Sequence, residues 1–308
     1  MRAVDGVHLV IPRGGTVGIV GESGCGKSIT ALSILRLISP PGRITGGKIT
    51  LHRDNGDVEL TALRDDSEEL RHIRGGEIAM IFQEPMTAFS PVHSIGNQLL
   101  EAVLLHSDKR GKEARDYVVA TMTRAGIPDA GRRYNQYPHE MSGGLLQRSM
   151  IAMGIAGNPT LLIADEPTTA LDVTIQAQIM EVLRELQRET NMALLLITHD
   201  LGVVAEMAET VAVMYLGRIV ELAPVTYLFA DPQHPYTRAL LRSIPGRGPR
   251  KRALEVITGG VPDPFTCLPG CPFFPRCRET VPGVCDVGNR PPLREVGPGH
   301  FVACMGGK

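Results

Sequence analysis

Five short apolar runs recur along the chain, and longer segments between them carry apolar residues at helical spacing. The runs are predicted to be buried strands, because a strand covered on both faces by helices is apolar throughout. They cover residues 16–20, 77–82, 160–164, 193–197 and 211–215. The helical spacing predicts helices at 27–37, 113–125 and 175–186, within a broader helical region from 94 to 157.

Four further stretches complete the predicted strands. Residues 4–11 read as a strand before the first buried run, and 46–51 with 57–60 read as a hairpin around an Asp-Asn-Gly turn. Residues 218–221 are predicted to pair with the run at 211–215. Strands that alternate with helices predict an α/β fold, with its site at the carboxyl edge of the strands.

The composition of the chain changes after Ala223, since 14 of the 23 prolines lie beyond that residue. Such a tail is predicted to be rich in loops and to form a small separate module. We therefore predict one large domain over residues 1–230, with a helical subdomain at about 94–157. Residues 231–308 are predicted to form a C-terminal extension.

The first buried run leads directly into a glycine-rich stretch that fits the phosphate-binding pattern G-x-x-x-x-G-K-[ST]. Glycines let successive backbone amides face one anion, and the following helix presents its positive end to the phosphates. Lys27 is predicted to reach the β- and γ-phosphates, and Ser28 to ligate Mg²⁺. The predicted nucleotide contacts in this loop are Gly21, Glu22, Ser23, Gly24, Cys25, Gly26, Lys27, Ser28 and Ile29.

Polar residues follow three of the other predicted strands. Gln83 follows 77–82, Asp165 and Glu166 follow 160–164, and His199 follows 193–197. Taken singly, each has an ordinary explanation as a solvated strand end, a loop residue or a structural histidine. Their order after a phosphate-binding loop favours a shared function at the carboxyl edge of the sheet.

A Ser-Gly-Gly triplet precedes the apolar run 145–155. Ser142 is well placed to cap that predicted helix, and Gly143 and Gly144 leave the backbone behind it bare. By itself the triplet is only a helix start.

With these motifs in order, nearly the whole chain resembles the ATP-binding subunits of ABC transporters. The resemblance implies a P-loop NTPase core of the RecA-like α/β type, with a helical signature subdomain and an N-terminally short β-subdomain. The matching motifs are the Walker B segment 161–166, the ABC signature 141–148, the D-loop 170–172, the Q-loop Gln83 and the switch histidine His199.

The resemblance also implies roles for these residues. Asp165, Ser28 and Gln83 would hold Mg²⁺, and Glu166 would be the general base that polarises the attacking water. Gln83 and His199 would sense or contact the γ-phosphate, as phosphoryl transfer requires. Asp172 either belongs to the D-loop or merely caps the next helix.

In such proteins two ATP-binding domains pair head to tail around ATP. Ser142, Gly143 and Gly144 would then complete the site of the facing subunit by placing N–H donors on the γ-phosphate. Hydrolysis would release this clamp and drive a transmembrane permease, docked between Gln83 and about Gly96. The paired subunit is expected to be a sister ATP-binding chain, with a second copy of this chain as the alternative.

Two further stretches are similar to the oligopeptide and dipeptide importer branch: His234–Leu241 and the tail that begins Gly270-Cys271. The resemblance therefore implies peptide import, with an extracytoplasmic solute-binding protein as an indirect partner. Nickel, oligosaccharide or another solute is the alternative within this branch. A soluble ABC ATPase of DNA repair or translation is a different class, and those usually carry a coiled-coil insertion or two tandem domains.

Net charge and hydropathy limit the classes of partner and the cellular location that we expect for this protein. The net charge is −1 with both signs mixed and no basic stripe, so no nucleic-acid partner is implied. No apolar run approaches the roughly 18 residues that a membrane span needs. We expect a peripheral protein on the cytoplasmic face of a membrane, held there by its permease.

Five of the six cysteines crowd the tail. Cys271, Cys277, Cys285 and Cys304 lack the C-x₂₋₄-C spacing of common zinc sites. The resemblance implies a [4Fe–4S] cluster held by these four thiolates, while zinc, a disulfide or no metal stays open. A redox-sensing module that gates the ATPase is a third functional hypothesis.

Three features depart from the family pattern. Residues 1–20 contain no aromatic side chain to stack on adenine. Either adenine is held by another contact, or the natural chain begins upstream of Met1, which is the alternative that we expect. Leu146 stands where a basic or polar residue is usual in the signature. Cys267 is an additional cysteine beside the predicted cluster.

Overall fold

A computed structural model describes residues 2–169, 171–243, 257, 259–262 and 268–306. The chain divides into two compact units. The first comprises Met1–Val10, Val17–Thr30 and Thr198–Lys308, and the second comprises Ile11–Thr16 and Ala31–Ile197. The chain passes between the units within strand β1 (Thr16–Val20) and within helix α1 (Lys27–Ile34).

The second unit is built on three parallel strands in the order β4, β5, β6. These strands are β4 (Ile78–Ile81), β5 (Leu161–Asp165) and β6 (Ala193–Ile197). Ala164 is the partner of Ile81 on one side and of Leu196 on the other, so the three strands end at one edge. Their side chains are almost all buried, which explains their uninterrupted apolar sequence.

Helices and one small hairpin complete the second unit. The hairpin is β2 (Thr50–Leu51) and β3 (Val58–Glu59). The helices are α2 (Glu68–Gly76), α3 (Pro85–Ala88), α4 (Ile95–His106), α5 (Gly111–Arg124), α6 (Ala130–Arg133), α7 (Gly143–Ile155) and α8 (Val173–Thr190). Helices α4 to α7 confirm the helical region expected between 94 and 157.

The first unit has five neighbouring strands in the order β1, β7, β8, β10, β9. Strand β1 runs parallel to β7, and the later neighbours are antiparallel. The later strands are β7 (Thr210–Tyr215), β8 (Arg218–Pro224), β9 (Arg294–Gly297) and β10 (His300–Val302). The predicted hairpin of β7 and β8 is confirmed, and the strand pair at 294–302 was not predicted.

The helices of the first unit pack on an aromatic core that reaches into the C-terminal segment. They are α9 (Leu201–Met207), α10 (Val225–Ala230) and α11 (Pro235–Arg242). Tyr215, Tyr236 and Phe273 contact one another there, with ring centroids 4.7 to 5.3 Å apart. The described residues beyond 230 therefore belong to the same compact unit as the glycine-rich loop. The predicted domain boundary at 230 stays a prediction.

The predicted strand at residues 4–11 is wrong. Gly6 has a φ of 74°, which breaks an extended path, and in this stretch Asp5 donates its amide to the carbonyl of Gly217 at 2.8 Å. Helix α1 ends at Ile34, earlier than predicted, because Arg36 takes a left-handed φ of 55°. The Arg36 guanidinium then donates to the carbonyls of Leu60 and Leu63.

Within the described residues, no helix has the length and apolar character needed to cross a membrane.

Gly96 provides a test of packing in the helical region. Its amide donates to the carbonyl of Tyr134, and an added Cβ would lie 2.2 Å from Cγ of that buried ring. Gly96→Ala should therefore lower the free energy of unfolding by about 1–3 kcal/mol. Chemical denaturation of the full chain measures this.

Gly131→Ala is the matched control, since an added Cβ there meets nothing within 4 Å in helix α6. It should change the stability by less than about 1 kcal/mol. Equal unfolding midpoints for the two variants would contradict the close approach of Gly96 to the ring.

Candidate functional site

The glycine-rich loop joins β1 to α1, as its sequence predicts. Gly21 has a φ of 155°, and an added Cβ would lie 2.2 Å from the carbonyl oxygen of Met214. Gly26 has a φ of 105°, and an added Cβ would lie 2.4 Å from the carbonyl oxygen of Ala3. Glycine is required at both positions, because neighbouring backbone fills the space of a side chain.

Lys27 begins α1 and is buried against its own loop. Its ammonium donates to the carbonyls of Gly21 at 2.8 Å and Glu22 at 3.1 Å. These bonds place the positive charge in the concavity of the loop, beside the N-terminus of α1. Ser28 is the second residue of the helix and Ile29 the third, while Ser23 and Gly24 are exposed at the tip of the loop.

Cys25 is buried on the inner side of the loop. Burial raises the pKa of its thiol, so Cys25 is a neutral packing group. Its carbonyl accepts the amide of Gly217 at 2.8 Å, which ties the loop to the turn between β7 and β8.

The second unit positions the acidic pair. Asp165 is the last residue of β5 and is buried, which suits a ligand held rigidly for a metal. Glu166 follows with a left-handed φ of 48°, an uncommon backbone conformation for a residue with a side chain. Its amide donates to the carbonyl of Ile197 at the end of β6, with a distance of 2.8 Å.

Two donors reach the same oxygen of the Glu166 carboxylate. The Thr169 hydroxyl donates to Oε2 at 2.8 Å, and Nε2 of Gln83 lies 3.4 Å from that oxygen. The structure thus brings together Gln83 and Glu166, as predicted from the sequence. Thr169 was not predicted from the sequence. A hydroxyl three residues after a candidate base could have indicated a hydrogen bond to that base.

The Ser-Gly-Gly triplet opens α7 as predicted. Ser142 occupies the N-cap position and is exposed, but in the described part of the chain its side chain makes no capping hydrogen bond. Gly143 and Gly144 form the first turn, and a Cβ on Gly144 would lie 3.0 Å from the side chain of Ile175. Leu146 is fully buried, so the unusual apolar residue in the signature contributes to packing.

The remaining motif residues lie at helix starts and strand ends. His199 is exposed two residues after the end of β6, in the first unit. Asp172 caps α8, where Oδ1 accepts the amide of Ile175 at 2.9 Å. The structure thus shows that Asp172 caps this helix, while its D-loop role stays a prediction. Ala170 of the same motif lies outside the described residues.

The four described cysteines of the tail are free thiols. Burial, with smaller effects of the other three thiols, raises the pKa of Cys271 to about 11. A cluster needs thiolate ligands, and no group of three or more candidate ligands in the described chain has a metal-binding arrangement. The residues as placed do not support the expected [4Fe–4S] cluster, and Cys267 lies outside the described residues.

The comparison with known families decides the class of this protein. Residues 4–169 match the ABC transporter family. The chain belongs to that family. Residues 220–285 also match the family described as oligopeptide/dipeptide transporter, C-terminal region. The family and the cassette fold expected from the motifs are thus confirmed.

Individual relatives cover most of the chain. A peptide import ATP-binding protein of Brucella ovis is 50% identical over 311 residues, covering 98% of this chain and 91% of the relative. The dipeptide transport ATP-binding protein DppD of Bacillus subtilis is 49% identical, covering 93% of this chain and 84% of the relative.

A solved structure supports the fold. The ATP-binding cassette MJ0796, in a dimeric post-hydrolysis state with ADP and Pi, has a TM-score of 0.63 and 29% identity. The match covers 72% of this chain and 90% of that one.

The hydroxyl of Thr169 yields a test. Thr169→Val removes the donor to Glu166 but keeps a similar shape, so it should lower kcat about tenfold, as expected for one lost hydrogen bond to a charged group. The KM for ATP should change little, because Thr169 orients the carboxylate rather than the nucleotide. Steady-state ATP hydrolysis by the assembled transporter measures both parameters.

Thr169→Ser keeps the hydroxyl and should retain most of the wild-type rate. Similar kcat values for the Val and Ser variants would show that this hydroxyl does not orient Glu166.

Proposed function

We propose that this chain is the ATP-hydrolysing subunit of an ABC importer for oligopeptides or dipeptides. The observation that carries the proposal is the Glu166 carboxylate, held by Gln83 and Thr169 directly after the buried Asp165. A carboxylate at the end of a buried strand, oriented by neutral donors, is suited to polarise an attacking water. The protein is thereby an ATPase whose hydrolysis is coupled to transport.

Each motif has a defined task in this reaction. Lys27 and the loop amides would bind the β- and γ-phosphates. Ser28, Asp165 and Gln83 would hold Mg²⁺, which would supply positive charge to the transferred group. Glu166 acts as the base, and His199 contacts the γ-phosphate. Phosphoryl transfer needs mostly positioning and charge stabilisation, and these residue types provide both. No step of this reaction uses the cysteines of the tail.

The signature triplet acts on a second subunit. Ser142 is exposed at the start of α7, where the N–H groups of Gly143 and Gly144 are available to a γ-phosphate of a facing chain. The dimeric state of the MJ0796 cassette supports a paired arrangement for this fold. We propose closure of a dimer around ATP, with a sister subunit or a second copy as the partner.

The segment after Gln83 is the proposed docking site of the permease. Met86 and Val92 in this segment are 60% and 72% exposed, and Phe82, just before Gln83, is 41% exposed. This is an unusual amount of apolar surface for one short stretch. A transmembrane partner there would hold the chain at the cytoplasmic face of the membrane. The extracytoplasmic solute-binding protein acts only through that permease.

The peptide class of the substrate rests on the relatives and on the match of residues 220–285. The permease and binding protein select the solute, so nickel, oligosaccharide or another solute is the alternative for the same machine. A soluble ABC ATPase fits less well, because the C-terminal match is to a transporter family.

ATP hydrolysis by the complete complex tests the proposal. The complex should be reconstituted with its binding protein and assayed with and without a mixed peptide pool. Peptides should stimulate hydrolysis several-fold. Glu166→Gln, which removes the base but keeps the size of the side chain, should lower kcat by roughly 10²-fold or more.

Each outcome separates one part of the proposal from the others. Hydrolysis that depends on Glu166 but ignores peptides would keep the ATPase and reject the peptide class, and sugars and nickel would then be assayed. Hydrolysis that persists in Glu166→Gln would reject Glu166 as the base. Full activity without any permease would favour the soluble class.

A further inference from the structure

A salt bridge joins the C-terminal segment to the glycine-rich loop. Nη1 and Nη2 of Arg276 donate to Oε2 and Oε1 of Glu22 at 2.6 and 2.9 Å. The Arg276 side chain is only 4% exposed, and the two residues are 254 positions apart in the sequence. A bidentate pair of this kind fixes orientation as well as charge.

The backbone of Glu22 is held by a second residue of the same segment. Its amide donates to the hydroxyl of Tyr236 at 2.9 Å. Tyr236 is fully buried and packs against Tyr215 and Phe273. The loop residue is therefore fixed through its side chain by Arg276 and through its main chain by Tyr236.

His234 fixes the start of the helix that carries Tyr236. Its Nδ1 accepts the amide of Tyr236 at 3.1 Å, and its own amide donates to the buried Glu221 at 2.9 Å. Burial lowers the pKa of His234 to about 3, so the ring is neutral and Nδ1 keeps its acceptor role near neutral pH. The stretch His234–Leu241, which carries the resemblance to peptide importers, thus supports the nucleotide loop.

The charge of Glu22 explains why the loop needs this support. A carboxylate beside a triphosphate site repels the bound anion unless a cation neutralises it. Arg276 supplies that cation from outside the loop, and its guanidinium also lies 5.9 Å from the centre of the Tyr215 ring. Glu22 belongs to the loop and also binds the C-terminal segment. The C-terminal segment therefore acts on the loop through this residue.

We propose that Arg276 and Tyr236 are positioning residues for ATP, which act through Glu22 to hold the phosphate-binding loop in its nucleotide-binding conformation. The proposal rests on ATP binding at this loop, as given under the proposed function. It assigns to the C-terminal segment a direct effect on nucleotide affinity that needs no metal.

A double-mutant cycle tests the proposal. The dissociation constant of a fluorescent ATP analogue would be measured with Mg²⁺ for the full chain, for Arg276→Gln, for Glu22→Gln and for the double variant. Arg276→Gln should weaken binding roughly tenfold. In the Glu22→Gln background the same change should weaken binding by less than about twofold, since its target is gone.

A conservative variant and a matched control distinguish a loss of loop positioning from a general loss of structure. Arg276→Lys keeps the charge without the planar fork and should restore part of the affinity. Arg294→Gln removes an exposed arginine on β9, in the same unit but outside the His234–Leu241 stretch, and should bind like wild type. Thermal unfolding without nucleotide shows whether each variant is folded.

Tyr236→Phe decides the question if Arg276→Gln does not fold. It keeps the packed ring but leaves the Glu22 amide without its acceptor, and it should weaken binding about threefold. An unchanged affinity in Tyr236→Phe would overturn the proposal, and so would an equal effect of Arg276→Gln in both backgrounds. A wild-type chain that binds no ATP analogue would instead reject the proposed ATP site itself.

Discussion

A loop that binds phosphate turns several backbone amides toward one anion, so the loop groups that face away from the anion need other partners. This constraint explains much of the first unit. Gly217 donates to the carbonyl of Cys25, Tyr236 accepts the amide of Glu22, and Arg276 binds its carboxylate. The aromatic core around Tyr215 and Phe273 keeps these partners in place. The C-terminal segment therefore extends the support of the nucleotide loop.

The acidic pair, Asp165 and Glu166, also depends on neighbouring residues for its conformation. Glu166 holds a left-handed backbone conformation that costs free energy by itself, of order 1–3 kcal/mol. The bond from its amide to Ile197 keeps that conformation, and Gln83 and Thr169 fix the carboxylate. Strain of this kind persists only where neighbouring structure over-determines it, and it is concentrated at functional sites.

Packing and ion pairs hold the described residues of the tail in place. Arg276 binds Glu22, Arg290 binds Asp5 at 2.6 Å, and Phe273 packs among tyrosines. These contacts join the tail to the loop and to the first residues of the chain within one unit. The four described cysteines remain free thiols, and burial keeps Cys271 protonated near neutral pH.

The sequence alone determined the strands and motifs whose signal is local. The buried strands β1 and β6 have the predicted bounds, because a run of apolar residues between helices needs no distant partner to be recognised. The loop glycines, Asp165, Glu166 and Ser142 were found from short patterns at fixed spacing. Residues 4–11 were misread as a strand, whereas the positive φ of Gly6 and the bond from the Asp5 amide to Gly217 give the chain another path.

Only the tertiary structure decided which side chains support these motifs. Arg276 meets Glu22 across 254 positions and Tyr236 meets it across 214, distances over which no sequence pattern carries information. The positive φ of Glu166 likewise depends on Ile197, a residue on another strand. Local patterns name the groups that carry chemistry, whereas the orientation of those groups arises from contacts that exist only after the chain has folded.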